Sequence, residues 1–237
     1  MDKRCIIICD SGAGGLGLLY RLSKRLPKEN FLYYADYENL PYGNKSIEEL
    51  KNIAIKNCKK FLPFCPKTIV FACNTLSVST LGEKTCDSVE VVRVLPKVKS
   101  SGKGLLLCTC ATAKSHYVNK LKSVNKDLDV LPMDGLAEEV EKYLKTGKEP
   151  NLERRLQGVG RDYDFVSLGC THYQFVKNQL QKIFKKAEFL SGEDDVFEKI
   201  VFSVTTFDTL DHSGDTCFIG KYSEKAKFLY NKGILKV

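Results

Sequence analysis

No stretch of this chain approaches the roughly 18 apolar residues that a membrane span requires. The N-terminus offers only Cys5-Ile6-Ile7-Ile8-Cys9 before the acidic Asp10. That run is too short for a signal-peptide core, so neither a membrane segment nor a secretion signal is expected. There is also no Pro/Ser-rich linker, no low-complexity tract and no basic run longer than two residues. The last absence matters because the formal net charge is +8. Of the 37 basic residues 30 are lysine, scattered along the chain, which reads as solvated surface and argues against a nucleic-acid partner. Such a charge would favour encounter with an anionic metabolite. What is present is an ordinary globular composition, with 43% hydrophobic residues and a mean hydropathy of -0.22. A length of 237 residues suffices for one large domain or two small ones. Ten cysteines without a secretion signal fit a reducing cytoplasm better than a disulfide scaffold.

The apolar pattern alternates strand and helix. Strands are expected at 4–9, 31–35, 68–72, 89–94, 104–108, 128–131 and 165–168. Helices are expected at 16–26, 47–62, 115–121, 136–144, 173–184 and 196–207. Ser46 and Glu49 form a capping-box signature at the start of the second helix. Alternation of this kind predicts parallel sheets covered on both faces, with ligands outside the carboxyl ends of the strands.

The turns at those strand ends hold the chemistry. Cys73 ends the run Thr68-Ile-Val-Phe-Ala-Cys73-Asn74-Thr75, and Cys170 ends Asp164-Phe-Val-Ser-Leu-Gly169-Cys170-Thr171-His172. A thiol at a strand's end, facing a helix N-terminus, is where its pKa can fall toward neutrality. Two such thiols, each with hydroxyl and amide neighbours suited to a carboxylate, suggest a paired acid and base on opposite sides of one small substrate. A third turn, Asp10-Ser11-Gly12-Ala13-Gly14-Gly15, would let a backbone approach a ligand closely. A nucleotide phosphate is one such ligand, although the spacing is neither a P-loop nor Gly-x-Gly-x-x-Gly. Pro41-Tyr42-Gly43-Asn44 is a tight turn by composition. Cys108 and Cys110 alternate on a strand as two metal ligands might, but no second pair lies at zinc-ligand spacing, so no metal is expected. Cys5, Cys9, Cys58, Cys65, Cys86 and Cys217 read as small fillers, and His212 as surface.

Together these segments resemble the glutamate racemase branch of the aspartate/glutamate racemase family. The resemblance rests on Asp10-Ser11-Gly12-Ala13-Gly14-Gly15-Leu16, Pro41-Tyr42-Gly43, Ala72-Cys73-Asn74-Thr75 and Leu168-Gly169-Cys170-Thr171-His172-Tyr173, in the family's order. Weaker similarity continues through Gly192 and Gly214-Asp215, and His172 points to the glutamate branch. The resemblance implies an α/β fold of two similar domains with mainly parallel sheets and the active site in the cleft between them. It divides the chain into 1–95 plus 195–237, the first domain being completed by the C-terminal segment, and 96–194. It further implies a cytoplasmic isomerase that interconverts L- and D-glutamate without a cofactor and supplies D-glutamate for peptidoglycan. The alternatives are racemisation of aspartate or another acidic amino acid, or a mainly binding role such as inhibition of a DNA topoisomerase. Oligomeric state stays open, a homodimer included.

Inverting an α-carbon requires removing a proton from one face and returning one to the other, which two opposed thiols can do. An ordinary thiol has a pKa of about 8.5, and lowering it to about 7 requires roughly 2 kcal/mol. A helix N-terminus supplies up to about that much only in favourable geometry. The resemblance assigns the remaining help to Asp10 beside Cys73 and His172 beside Cys170. It gives Asn74, Thr75 and Thr171 the α-carboxylate, Asp10 and Ser11 the amino group, and Pro41, Tyr42 and Gly43 the side-chain carboxylate. Thr109 and Thr112 align with a further substrate-contacting turn. Glu141 aligns with a glutamate near the second cysteine, though a solvated Glu is nearly as good a reading on a helix burying Leu136, Val140 and Leu144. The chain departs from the family pattern at Gln174, where proline is usual, and at Asp134-Gly135, which replaces Cys-Pro-Gly.

Overall fold

A computed structural model describes residues 4–205 and 213–232. Nine strands lie at Cys5–Asp10 (β1), Asn30–Ala35 (β2), Pro66–Phe71 (β3), Val91–Arg93 (β4), Gly104–Cys108 (β5), Leu128–Pro132 (β6), Phe165–Gly169 (β7), Glu188–Ser191 (β8) and Thr216–Ile219 (β9). Helices intervene at Leu16–Arg25 (α1), Ile47–Phe61 (α2), Asn74–Ser79 (α3), Cys110–Ala113 (α4), His116–Val124 (α5), Leu136–Thr146 (α6), Leu152–Arg155 (α7), Lys177–Ile183 (α8), Gly192–Thr205 (α9) and Ser223–Asn231 (α10).

Two sheets result, both parallel throughout. One has the order β4-β3-β1-β2-β9 and the other β6-β5-β7-β8. β1 shows why the first sheet is covered on both sides. Ile6 and Ile8 belong to one apolar cluster, while Cys5, Ile7 and Cys9 belong to another on the opposite face. A near-continuous apolar run is the sequence form of such a strand. The capping box is present as read: Ser46 Oγ accepts from the Glu49 N–H at 3.2 Å, and the Ser46 N–H donates to Glu49 Oε2 at 2.8 Å.

Some elements differ from expectation. The helix expected at 173–184 is split into a 3-10 segment, Thr171–Val176, and α8. The Tyr173 hydroxyl donates to the carbonyls of Cys108 (3.3 Å) and Met133 (3.2 Å), which anchors the tighter turn. Cys108 and Cys110 do not share a strand face. β5 stops at Cys108, and Thr109 caps α4 by accepting from the Thr112 N–H at 3.2 Å. β8, β9 and α10 lie outside the expected strands and helices, and the helix expected at 196–207 begins earlier, at Gly192. Positions 206–207 and His212 lie outside the described residues. Among the described residues no helix is long and apolar enough to cross a membrane.

Candidate active site

Four loops at strand carboxyl ends build the site. In the first sheet β1 and β3 are neighbours, and they deliver Asp10-Ser11 and Cys73. In the second sheet β5 and β7 are neighbours, and they deliver Thr109 and Cys170. Cys73 and Cys170, both buried, line one cavity from the two sides, together with Ser11, Pro41, Tyr42, Gly43, Thr75, Thr109 and His172. That cavity has a volume of about 20 Å³, room for little more than the single water that needs about 10–15 Å³.

The two sheets meet through polar contacts around this cavity. Thr171 Oγ1 donates to Asp10 Oδ2 at 3.1 Å, and Asp10 Oδ1 accepts the Gly12 N–H at 3.0 Å. The Thr75 hydroxyl lies 2.9 Å from that of Thr109 and 3.3 Å from that of Thr112. Glu141 Oε1 accepts the Ala13 N–H at 2.6 Å and lies 3.0 Å from His172 Nε2. His172 Nδ1 lies 3.9 Å from Cys170 Sγ, completing a line from thiol to imidazole to carboxylate.

The glycine turn is explained by these contacts. A Cβ on Gly12 would sit 2.3 Å from Glu141 Oε1, and one on Gly14 would sit 2.2 Å from Thr171 Oγ1. Both glycines are small because the other half of the protein presses against them. The Ala13 N–H, one of the donors an anion would seek in this turn, is held by the Glu141 carboxylate.

Burial pushes the Cys73 thiol well above its ordinary range, and the Asp10 charge adds to that; the Leu76 N–H and Ser11 only partly offset it. This corrects the expectation that a helix N-terminus and Asp10 bring this thiol toward neutrality. A carboxylate beside a thiol disfavours a second negative charge. Asp10 is itself raised by complete burial, against the pull of His172 and the Gly12 N–H. Burial alone would strip the charge from His172, but its hydrogen bonds to Cys170 and Glu141 lift it well above the usual imidazole range. Burial likewise opposes ionisation of Glu141, yet His172, the Ala13 N–H and Lys225 hold it down to about 2. The solvated reading of Glu141 thus fails, since α6 buries it with Leu136, Val140 and Leu144.

Other expected residues are near the cavity but otherwise engaged. The Tyr42 hydroxyl donates to Asp36 Oδ2 at 2.7 Å, and the Asn74 amide donates to the Val94 carbonyl at 3.1 Å. Sequence reasoning missed Leu40 and Met133, which line the cavity, and Lys225, which reaches Glu141 behind it; Cys110, weighed only as a metal ligand, also lines the cavity. No periodicity or motif marked Lys225, because Glu141 and Tyr37, which its ammonium meets, are remote from it in sequence. Among the described residues no cluster of three or more His, Cys, Asp or Glu side chains could hold a metal ion.

No family model matches the chain. A glutamate racemase of Clostridium acetobutylicum is 30% identical over 220 residues, covering 86% of this chain and 85% of that protein. The solved glutamate racemase of Escherichia coli, in complex with L-glutamate and the activator UDP-MurNAc-Ala, superposes with a TM-score of 0.80 at 21% identity, covering 98% of this chain and 95% of that one. That of Francisella tularensis, in complex with D-glutamate, superposes with a TM-score of 0.78 at 20% identity, covering 98% and 95%. With the two parallel sheets, the facing cysteine loops and this likeness taken together, the chain belongs to the glutamate racemase family of isomerases.

Proposed function

We propose that this protein interconverts L- and D-glutamate with Cys73 and Cys170 as its acid and base. The observation that carries the reading is that the two cysteines line one cavity from opposite sheets. As thiolate, one takes the α-proton, leaving the electron pair on the α-carbon and its carboxylate. The other, as thiol, gives its proton to the opposite face. For the D-enantiomer Cys73 is the base and Cys170 the acid; for the L-enantiomer the roles reverse. Positioned proton transfer of this kind is worth about 10²–10⁴-fold in rate.

The remaining residues hold the substrate. Asp10 and Ser11 take the ammonium, whose positive charge offsets the effect of Asp10 on Cys73. Thr75, Thr171 and the chain at Asn74 take the α-carboxylate, with Thr109 and Thr112 beside them. The Pro41-Tyr42-Gly43 turn takes the side-chain carboxylate through backbone N–H groups, since Asp36 holds the tyrosine hydroxyl. His172 serves Cys170, and Glu141 orients His172. A cavity of about 20 Å³ is too small for glutamate, so the two halves part to admit it. We read those halves as domains 1–95 plus 195–237 and 96–194, in keeping with β9 joining the first sheet. The D-glutamate formed would supply peptidoglycan, the role that the family resemblance implies.

Circular dichroism of the protein with each amino acid tests the assignment. Either glutamate enantiomer should lose its signal faster than either aspartate enantiomer. Preferred turnover of aspartate would overturn the substrate and leave the two-thiol chemistry standing.

A further inference from the structure

Glu141 has two carboxylate oxygens with different partners. Oε1 faces the site, taking the Ala13 N–H at 2.6 Å and His172 Nε2 at 3.0 Å. Oε2 faces away, toward Lys225 Nζ at 3.0 Å. Lys225 comes from α10, whose Ala226 and Leu229 are buried. That helix packs on α1, β2 and β9, on the side of the first sheet. Its ammonium lies 3.7 Å from the centre of the Tyr37 ring, so an aromatic face and a carboxylate hold it together. The contact joins the C-terminal segment of the chain to a side chain of the other half.

We propose that Lys225 is a positioning residue for the Cys170 half of the reaction, holding Glu141 ionised and turned so that Oε1 alone serves His172. The proposal rests on the two-thiol reading above and deepens it.

Three features support it. Glu141 is 4% exposed, so water does little to stabilise its charge. A buried carboxylate keeps its charge only with a partner, and on the Oε2 side of Glu141 the cation within reach is Lys225, at 3.0 Å. Half burial pulls the Lys225 ammonium below the usual range, while the facing Glu141 carboxylate works the other way. The charged and titratable groups facing this cluster are Asp10 on β1, Tyr33 on β2, Tyr37 after it, Cys170 and His172 after β7, and Lys145 on α6. Apart from Lys225, the lysine among them shares the helix of Glu141 and acts on Lys225 by repulsion.

The test separates the two thiols. Net racemisation cannot do so, because the equilibrium constant ties kcat/KM in one direction to that in the other. Elimination of HCl from 3-chloroglutamate can. The base takes the α-proton, the electron pair forms the Cα–Cβ double bond, and chloride leaves with its own bonding pair, so no acid is needed. In K225M, elimination from the L-series compound, where Cys170 is the base, should fall about tenfold, the effect of one pKa unit. Elimination from the D-series compound, where Cys73 is the base, should change less than about twofold, and its pH profile should not move. The limb of the L-series profile should shift to higher pH, because removing a cation makes a nearby thiolate harder to form. K225R should restore both. Equal slowing of the two series, or an unmoved L-series profile, would overturn the proposal and leave a merely structural ion pair. If the unchanged protein eliminates from neither series, the two-thiol reading itself fails.

Discussion

Cys73 and Cys170 sit in sequence settings that are nearly interchangeable, yet their surroundings in the fold are opposite. Beside Cys73 stands a carboxylate, Asp10, and burial and that charge together hold the thiol protonated. Beside Cys170 stands the His172 imidazole, which burial would lower but hydrogen bonds to Cys170 and Glu141 lift well above its usual range, and behind Glu141 stands Lys225. Strand grammar fixes where a side chain emerges, whereas the charge around it comes from residues far away in sequence. On the proposed two-thiol reading, one half of the site would supply a cation to its thiol, and the other would rely on the substrate's own ammonium to offset Asp10.

The largest effect that could break this comparison is loss of either thiol. C73S and C170S should each slow racemisation by at least about a thousandfold, within the range for a lost acid or base. Both should keep their far-ultraviolet circular dichroism, since each changes a single sulfur at a cavity wall. Retention of more than a tenth of the activity in either would remove that cysteine from the chemistry.

Next in size is the imidazole. H172N should slow racemisation about a hundredfold. Its loss should also move the pH profile of HCl elimination from L-series 3-chloroglutamate, where Cys170 is the proposed base, and leave the D-series profile in place. A uniform loss at every pH would assign His172 to packing.

The smallest effect is on stability. Glu141 is held at about 2 in the folded chain against an ordinary 4.5, so the folded state binds its proton less readily than the unfolded one. Its contribution is complete above about 4.5 and is lost as pH falls toward 2. Urea unfolding across that window should show a decline that E141Q flattens. An identical decline in E141Q would mean that other carboxylates account for it.

The sequence made much of this legible, and the failures share a cause. β1, β3, β5 and β7 are apolar runs with β-branched residues, and buried parallel strands are what such runs form. The loops after them carry Asp10, Cys73, Thr109 and Cys170, so the cavity could be assembled from strand ends alone. The glycines of the first loop could be read only as small. That Glu141 and Thr171 press on them is a contact across the two sheets, which local pattern does not encode. Glu141 was ambiguous for the same reason, since α6 is amphipathic whether or not that position faces water. β9 is short and half exposed, and it pairs with β2 across most of the chain; no apolar period announces it. Lys225 follows from β9, because that pairing leads the chain into α10, whose lysine reaches Glu141 on α6.

The most direct measurement of the central claim is stereochemical. C73S and C170S would each be offered both series of 3-chloroglutamate, and chloride release followed. If the two thiols face one another across the substrate, C73S retains elimination from the L-series compound alone and C170S from the D-series compound alone. If both variants lose both series equally, the cysteines position the substrate and the acid and base lie elsewhere.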